Sequence, residues 1–174
     1  MVAVVLAACL APTVGRAASS DPLLGLARLQ GTFALAGRVT AAQGIRGEHR
    51  GERIARNWGF TPGCPTGACP TIFLLRLRPG AIDAVLLHRR SPGLYAGGGK
   101  FFAPLRCGRR TFAHGESVPF TITVQVTAAT ATSGGVIATR VNATMISARR
   151  SNLTPCVVAP AHEAAAYHGH LGTT

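Results

Sequence analysis

The sequence predicts an all-β domain: an antiparallel meander of seven to eight strands, either closed into a barrel or folded as a two-sheet sandwich. Runs of alternating apolar and polar residues recur along the chain, as half-buried strands require. Short Gly/Pro turn signals separate those runs, and no helix-length repeat lies between them, which argues against a parallel βαβ sheet. With 174 residues, the chain is long enough for one domain with a substantial core.

The first segment, "MVAVVLAACLAPTVGRAASS", is apolar and then rich in small residues. Its apolar run is about half the roughly 20 residues of a membrane span, so residues 1–18 are expected to be an export signal. Gly15-Arg16-Ala17 offers small residues for ordinary signal cleavage. Leu6-Ala7-Ala8-Cys9 has instead the form of a bacterial lipobox, which would make Cys9 the lipidated N-terminus. The product is then extracytoplasmic, either secreted or lipid-anchored at the outer membrane face. Residues 19–30 read as a linker, 31–158 as the β-domain, and 159–174 as a C-terminal tail with a short helix around 160–167.

Strand signals fill the middle of the chain. In 31–41, Phe33, Leu35 and Val39 share a face; in 51–61, Ile54, Trp58 and Phe60 do. In "TIFLLRLR" (71–78), Phe73, Leu75 and Leu77 read as the buried set, with Arg76 and Arg78 outward. Further strands are expected at 82–90, at 94–103 (Gly-rich, with a bend or bulge) and at 110–114, followed by a turn at Gly115-Glu116-Ser117. "VPFTITVQVTAA" (118–129) alternates most cleanly, with Phe120, Ile122, Val124 and Val126 inward, and Pro119 marks an edge or bulge. A last strand follows at 136–147.

Five cysteines become four if either leader fate removes or consumes Cys9. Cys64, Cys69, Cys107 and Cys156 in an exported chain read as two disulfides, with three pairings open. Pro65-Thr66-Gly67-Ala68 is turn chemistry and favours Cys64–Cys69, leaving Cys107–Cys156. A Cys₄ zinc site fits poorly, because Cys107 and Cys156 have no close partner in sequence. No redox Cys-x-x-Cys is present.

The formal charge is +12, and Lys100 is the only lysine among 18 cationic residues. Arg, Ala, Gly and Pro are all abundant, so GC-rich coding accounts for much of the excess. What remains suggests attraction to anionic cell-wall polymer or a membrane surface. The pairs Arg109-Arg110 and Arg149-Arg150 are the candidate anion-binding residues. Nucleic acid is disfavoured, since exposed aromatics do not interleave with the arginines.

The marks "GTFALAGRVT", "GEHRGERIARNWGFTPGCPTGAC", "SPGLYAGGGKFFAPLRCG", "GESVPFTITVQVTAA" and "RRSNLTPCV" resemble those of small secreted proteins of high-GC actinobacteria. That group carries no assigned function. The resemblance spans residues 31–168 and implies export and an all-β domain with paired cysteines. It supplies no catalytic residues.

No catalytic constellation stands out. His114, Glu116 and Ser117 lie together and tempt a hydrolase reading, but no Gly-x-Ser-x-Gly accompanies them. His162, Glu163, His168 and His170 crowd the tail at spacings poor for one helix face, and read as solvated. No metal or cofactor is expected. The expectation is a non-enzymatic, disulfide-stabilised binding or structural module of the cell envelope. A small ligand in the mouth of a closed barrel is a variant, and an extracellular hydrolase is the rival.

Overall fold

A computed structural model describes residues 21–45, 47–78, 81–147, 149–157 and 160–172, excluding the side chains of residues 77, 78 and 81–83. The leader, with Cys9 and its expected cleavage, lies outside the described residues. The strands are β1 (Gly31–Gln43), β2 (Arg53–Pro62), β3 (Thr71–Arg78), β4 (Ala81–Ser91), β5 (Leu94–Cys107), β6 (Arg110–Thr132), β7 (Gly135–Ser147), β8 (Ser151–Asn152) and β9 (His162–Leu171). From β1 to β7 each strand pairs antiparallel with the next, and β9 lies between β7 and β1. The result is a closed eight-stranded antiparallel barrel. Strand β8 is an extra pairing beside the start of β6. Closure removes the free edges that a sandwich would leave, so the barrel is the realised alternative.

The eighth strand corrects the reading of the C-terminus. Residues 162–171 form neither a helix nor a tail; they hydrogen-bond on both sides. Three consecutive alanines favour a helix locally, but closing two open edges outweighs that preference. Tyr167 turns inward opposite Gly37, where an added Cβ would lie 2.6 Å from the Tyr167 ring. Glycine at that position makes room for the ring.

The expected linker is also structured. Helix α1 (Pro22–Leu26) is capped by Asp21, whose carboxylate accepts from the Leu23 amide at 2.9 Å. Ala27 and Leu29 are fully buried, and Arg28 exchanges backbone hydrogen bonds with Val136 and Ala138. This segment closes one end of the barrel.

At the same end, Arg28 Nη2 donates to the Cys64 carbonyl at 2.8 Å, and Nη1 lies 3.4 Å from Cys69 Sγ. The Cys64–Cys69 disulfide therefore pins the β2–β3 turn against the cap, with Gly67 at φ 66°. The second disulfide joins Cys107 to Cys156 at the other end.

Strand β6 is one 23-residue strand, not two strands joined by a turn. Residues 113–115 are absorbed in an irregularity where the β5 register shifts between Ala103 and Leu105. Pro119 pairs with Lys100 on one side only; on the other side it falls between the β7 and β8 pairings, so its missing N–H breaks no ladder bond there. At Gly97 an added Cβ would lie 2.2 Å from the Leu86 carbonyl, and β4–β5 pairing stops there. Beyond this point β5 follows β6 alone.

Strand β3 faces the opposite way from the sequence expectation. Ile72, Leu74 and Arg76 point inward, while Phe73 and Leu75 are 52% and 42% exposed. "TIFLLRLR" is apolar on both faces, so its own pattern does not choose between them. Pairing chooses: Phe60 lies opposite Leu74 and Trp58 opposite Arg76. Phe102 is also exposed. The apolar half of the interior, toward the cap, holds Phe33, Phe60, Trp58, Tyr95, Ile122 and Val124. Edge-on ring contacts join Phe33 to Phe60 (5.4 Å), and Trp58 lies 5.3 Å from Tyr167.

Candidate functional site: the open end of the barrel

Above Trp58 and Tyr167 the interior becomes polar and opens to solvent. A cavity of about 620 Å³ is lined by residues of β2, β3, β5, β6, β7 and β9, together with the β1–β2 connection and the segment after β7. Its apolar lining includes Phe101, Leu105, Met145 and Ile45. Its charged lining is Arg56, Arg76, Arg106 and Arg150 with Glu48, Glu116 and Glu163. Glu52 lines a small adjoining pocket beside Glu48 and Glu163. Four of the six carboxylates of a strongly basic chain thus gather at this end.

Arg76 forms the floor. It is 3% exposed, with its guanidinium 4.8 Å from the Phe120 ring centre and 5.9 Å from that of Trp58. Nη2 reaches the Met145 thioether at 2.9 Å. Aromatic faces favour a cation electrostatically, which helps hold this charge in an otherwise apolar layer.

Arg150 organises the opposite wall. Its guanidinium bridges Glu116 at 3.2 Å and Glu163 at 3.3 Å, and its side chain is about nine-tenths buried. Arg150 Nε is buried without a hydrogen-bond partner among the described residues. Glu48 adds a third carboxyl. The residue is exposed as a whole, but its carboxyl faces the cavity and hydrogen-bonds Glu163. Loss of hydration raises its pKa to about 7; the hydrogen bond and charge of Glu163 add to this, and Arg150 opposes it. The Glu48 carboxyl thus lies hydrogen-bonded to Glu163, which Arg150 also contacts. Burial also raises Tyr167, with Arg56 and Arg76 acting against the rise.

The residues singled out in the sequence fall in different places. Arg109, Arg110 and Arg149 are exposed near the rim, and Arg110 lies over Phe112 at 4.8 Å. Arg150 is instead an interior ion-pair residue. The trio His114, Glu116 and Ser117 does not converge: Glu116 binds Arg150 inside, His114 packs exposed against Phe102, and Ser117 falls on the alternate face of β6. Alternation separates Ser117 from Glu116, and the irregularity at residues 113–115 separates His114 from Glu116. His168 and His170 lie exposed on the outer face of β9, with His168 Nδ1 2.9 Å from Asn142 Oδ1, while Glu163 points into the cavity. Sequence reasoning missed Arg76, Arg56, Glu48 and Tyr167.

A second groove of about 620 Å³ crosses the outside of β2, β1 and β9. Its walls are the small side chains Ala36, Ala55 and Ala166 with Arg38, Arg53 and His168 at its margins. It is shallow and holds no buried ionic group, so the interior is the better candidate. No described helix is long and apolar enough to cross a membrane. Comparison with protein-family models, curated proteins and solved structures finds no match.

Proposed function

We propose that this protein is a non-enzymatic, exported binding module whose barrel interior takes a small amphipathic organic anion. The single observation that carries the reading is the cavity of about 620 Å³ with an arginine floor. Its size suits a small organic molecule, and its lining pairs apolar surface with a few polar groups. Arg76 and Arg56 supply planar donors for a carboxylate or sulfonate. Phe101, Leu105 and Met145 suit an aromatic or aliphatic body. Arg109, Arg110 and Arg149 near the rim draw anions toward the mouth. The export-type leader and two disulfides support an extracytoplasmic setting.

Anilinonaphthalene sulfonate, an aromatic anion, is a suitable test ligand. Trp58, the sole tryptophan, sits under the cavity and reports occupancy by energy transfer. Saturable one-to-one binding is expected, with loss of about tenfold or more in Ala103→Trp, which fills the cavity from β5. Absence of saturable binding, or binding unchanged in Ala103→Trp, counts against an interior site.

A second reading is contact with an anionic envelope polymer or membrane surface, favoured by the exposed Arg109, Arg110 and Arg149. Its signature is association with purified cell wall that weakens with salt and survives Ala103→Trp.

A further inference from the structure

We infer that the barrel takes up its anionic ligand together with one proton, held between Glu48 and Glu163 at the mouth. This rests on the interior-binding reading and adds its regulation. Glu48 sits on the β1–β2 connection and Glu163 at the start of β9, so their hydrogen bond ties that connection to the barrel wall beside the cavity. Arg150 is shared between Glu163 and Glu116. A single guanidinium therefore serves two carboxylates, and the third carboxyl is accommodated by keeping a proton.

Among the described residues, the charged and titratable groups around this pair come from β2, β3, β5, β6, β9, the β1–β2 connection and the segment after β7. On the same connection and the start of β2 are His49, Glu52 and Arg56; His49 lies 3.7 Å from Glu52 and is largely exposed. Tyr167 comes from β9, Glu116 from β6, Arg150 from the segment after β7, Arg106 from β5 and Arg76 from β3. His162 lies on the opposite strand face from Glu163.

The sign follows from the charges. Below about pH 7 the Glu48 carboxyl is neutral and can donate a hydrogen bond; above it, the group is an anion facing the ligand's anion. Ligand entry therefore favours protonation, and protonation favours entry. The balance is simple. One proton leaves solvent and forms the O–H bond of Glu48 as one anion enters, so the charge of the occupied cavity is unchanged by the pair of events.

The experiment is a titration with anilinonaphthalene sulfonate, whose sulfonate stays ionised throughout, from about pH 5.5 to about pH 8.5. The dissociation constant is expected to rise above about pH 7, approaching about tenfold per pH unit for one linked proton. Glu48→Gln, a permanently neutral donor, is expected to hold the tight affinity to the alkaline end. His49→Asn is expected to keep the wild-type dependence. The neutral dye N-phenylnaphthylamine is expected to bind with little dependence on pH.

A second measurement needs no variant: calorimetry of the wild type near neutrality, in two buffers of different ionisation enthalpy, is expected to show net proton uptake. Tight binding that is flat with pH, an unchanged dependence in Glu48→Gln, or no proton uptake overturns the proton linkage and leaves interior binding standing. Failure of both dyes to bind at every pH overturns interior binding itself.

Discussion

Replacing Cys107 and Cys156 with serine is expected to lower unfolding free energy by about 4 kcal/mol, from the chain entropy released when a loop of sequence separation 49 is opened. The Cys64→Ser/Cys69→Ser change opens a far shorter loop, of separation 5, and is expected to cost about 2 kcal/mol. The two should also differ in function. Cys156 anchors the segment that carries Arg150 into the cavity, where Asn152 and Thr154 form a local turn: the Thr154 amide bonds Asn152 Oδ1 at 2.8 Å. Freeing that segment loosens the Arg150 bridge and weakens dye binding. The Cys64–Cys69 turn lies at the capped end, held by Arg28, and its loss should leave dye affinity unchanged. Urea denaturation of the two double variants, with dye titration of each, checks both expectations. A larger loss from the short loop, or equal effects on binding, contradicts this division of roles.

Arg76→Met should separate stability from binding. Taking a charged side chain out of water carries a desolvation cost that a well-packed apolar side chain of similar volume does not. Here Met would occupy a layer already formed by Trp58, Phe120 and Met145. The urea midpoint is therefore expected to hold or rise. Affinity for the sulfonate dye should fall by about ten- to a hundredfold, the range of a charge-assisted hydrogen bond. Affinity for the neutral dye should hold. Equal losses for both dyes would show that Arg76 only shapes the cavity.

Much of the barrel was legible because its strands obey one period. Phe33, Leu35 and Val39 on β1, and Phe120 through Val126 on β6, alternate so regularly that their inward faces follow directly. The disulfide pairing followed from turn chemistry between Cys64 and Cys69. Where both faces of a strand are apolar, the pattern is silent, and β3 inverted for that reason: its facing is set by its register with β2, which its own pattern does not specify. The same inversion hid Arg76, the floor of the site. The C-terminal strand was obscured by local alanine preference, and with it the destination of Glu163 and Tyr167. Glu48 and Glu163 are 115 residues apart in the sequence, and only closure between β9 and β1 brings them and Arg150 together. The exposed pair Phe73 and Leu86, facing one another on the outside of β3 and β4, is a second apolar surface that a hydrophobic dye could touch.

That outer surface makes residue-level mapping the decisive measurement. In an amide NMR titration with anilinonaphthalene sulfonate, saturating shifts are expected at Phe101, Ala103, Leu105, Met145, Arg150 and Tyr167. Shifts confined to Phe73, Leu75 and Leu86, with the cavity residues unmoved, would contradict it.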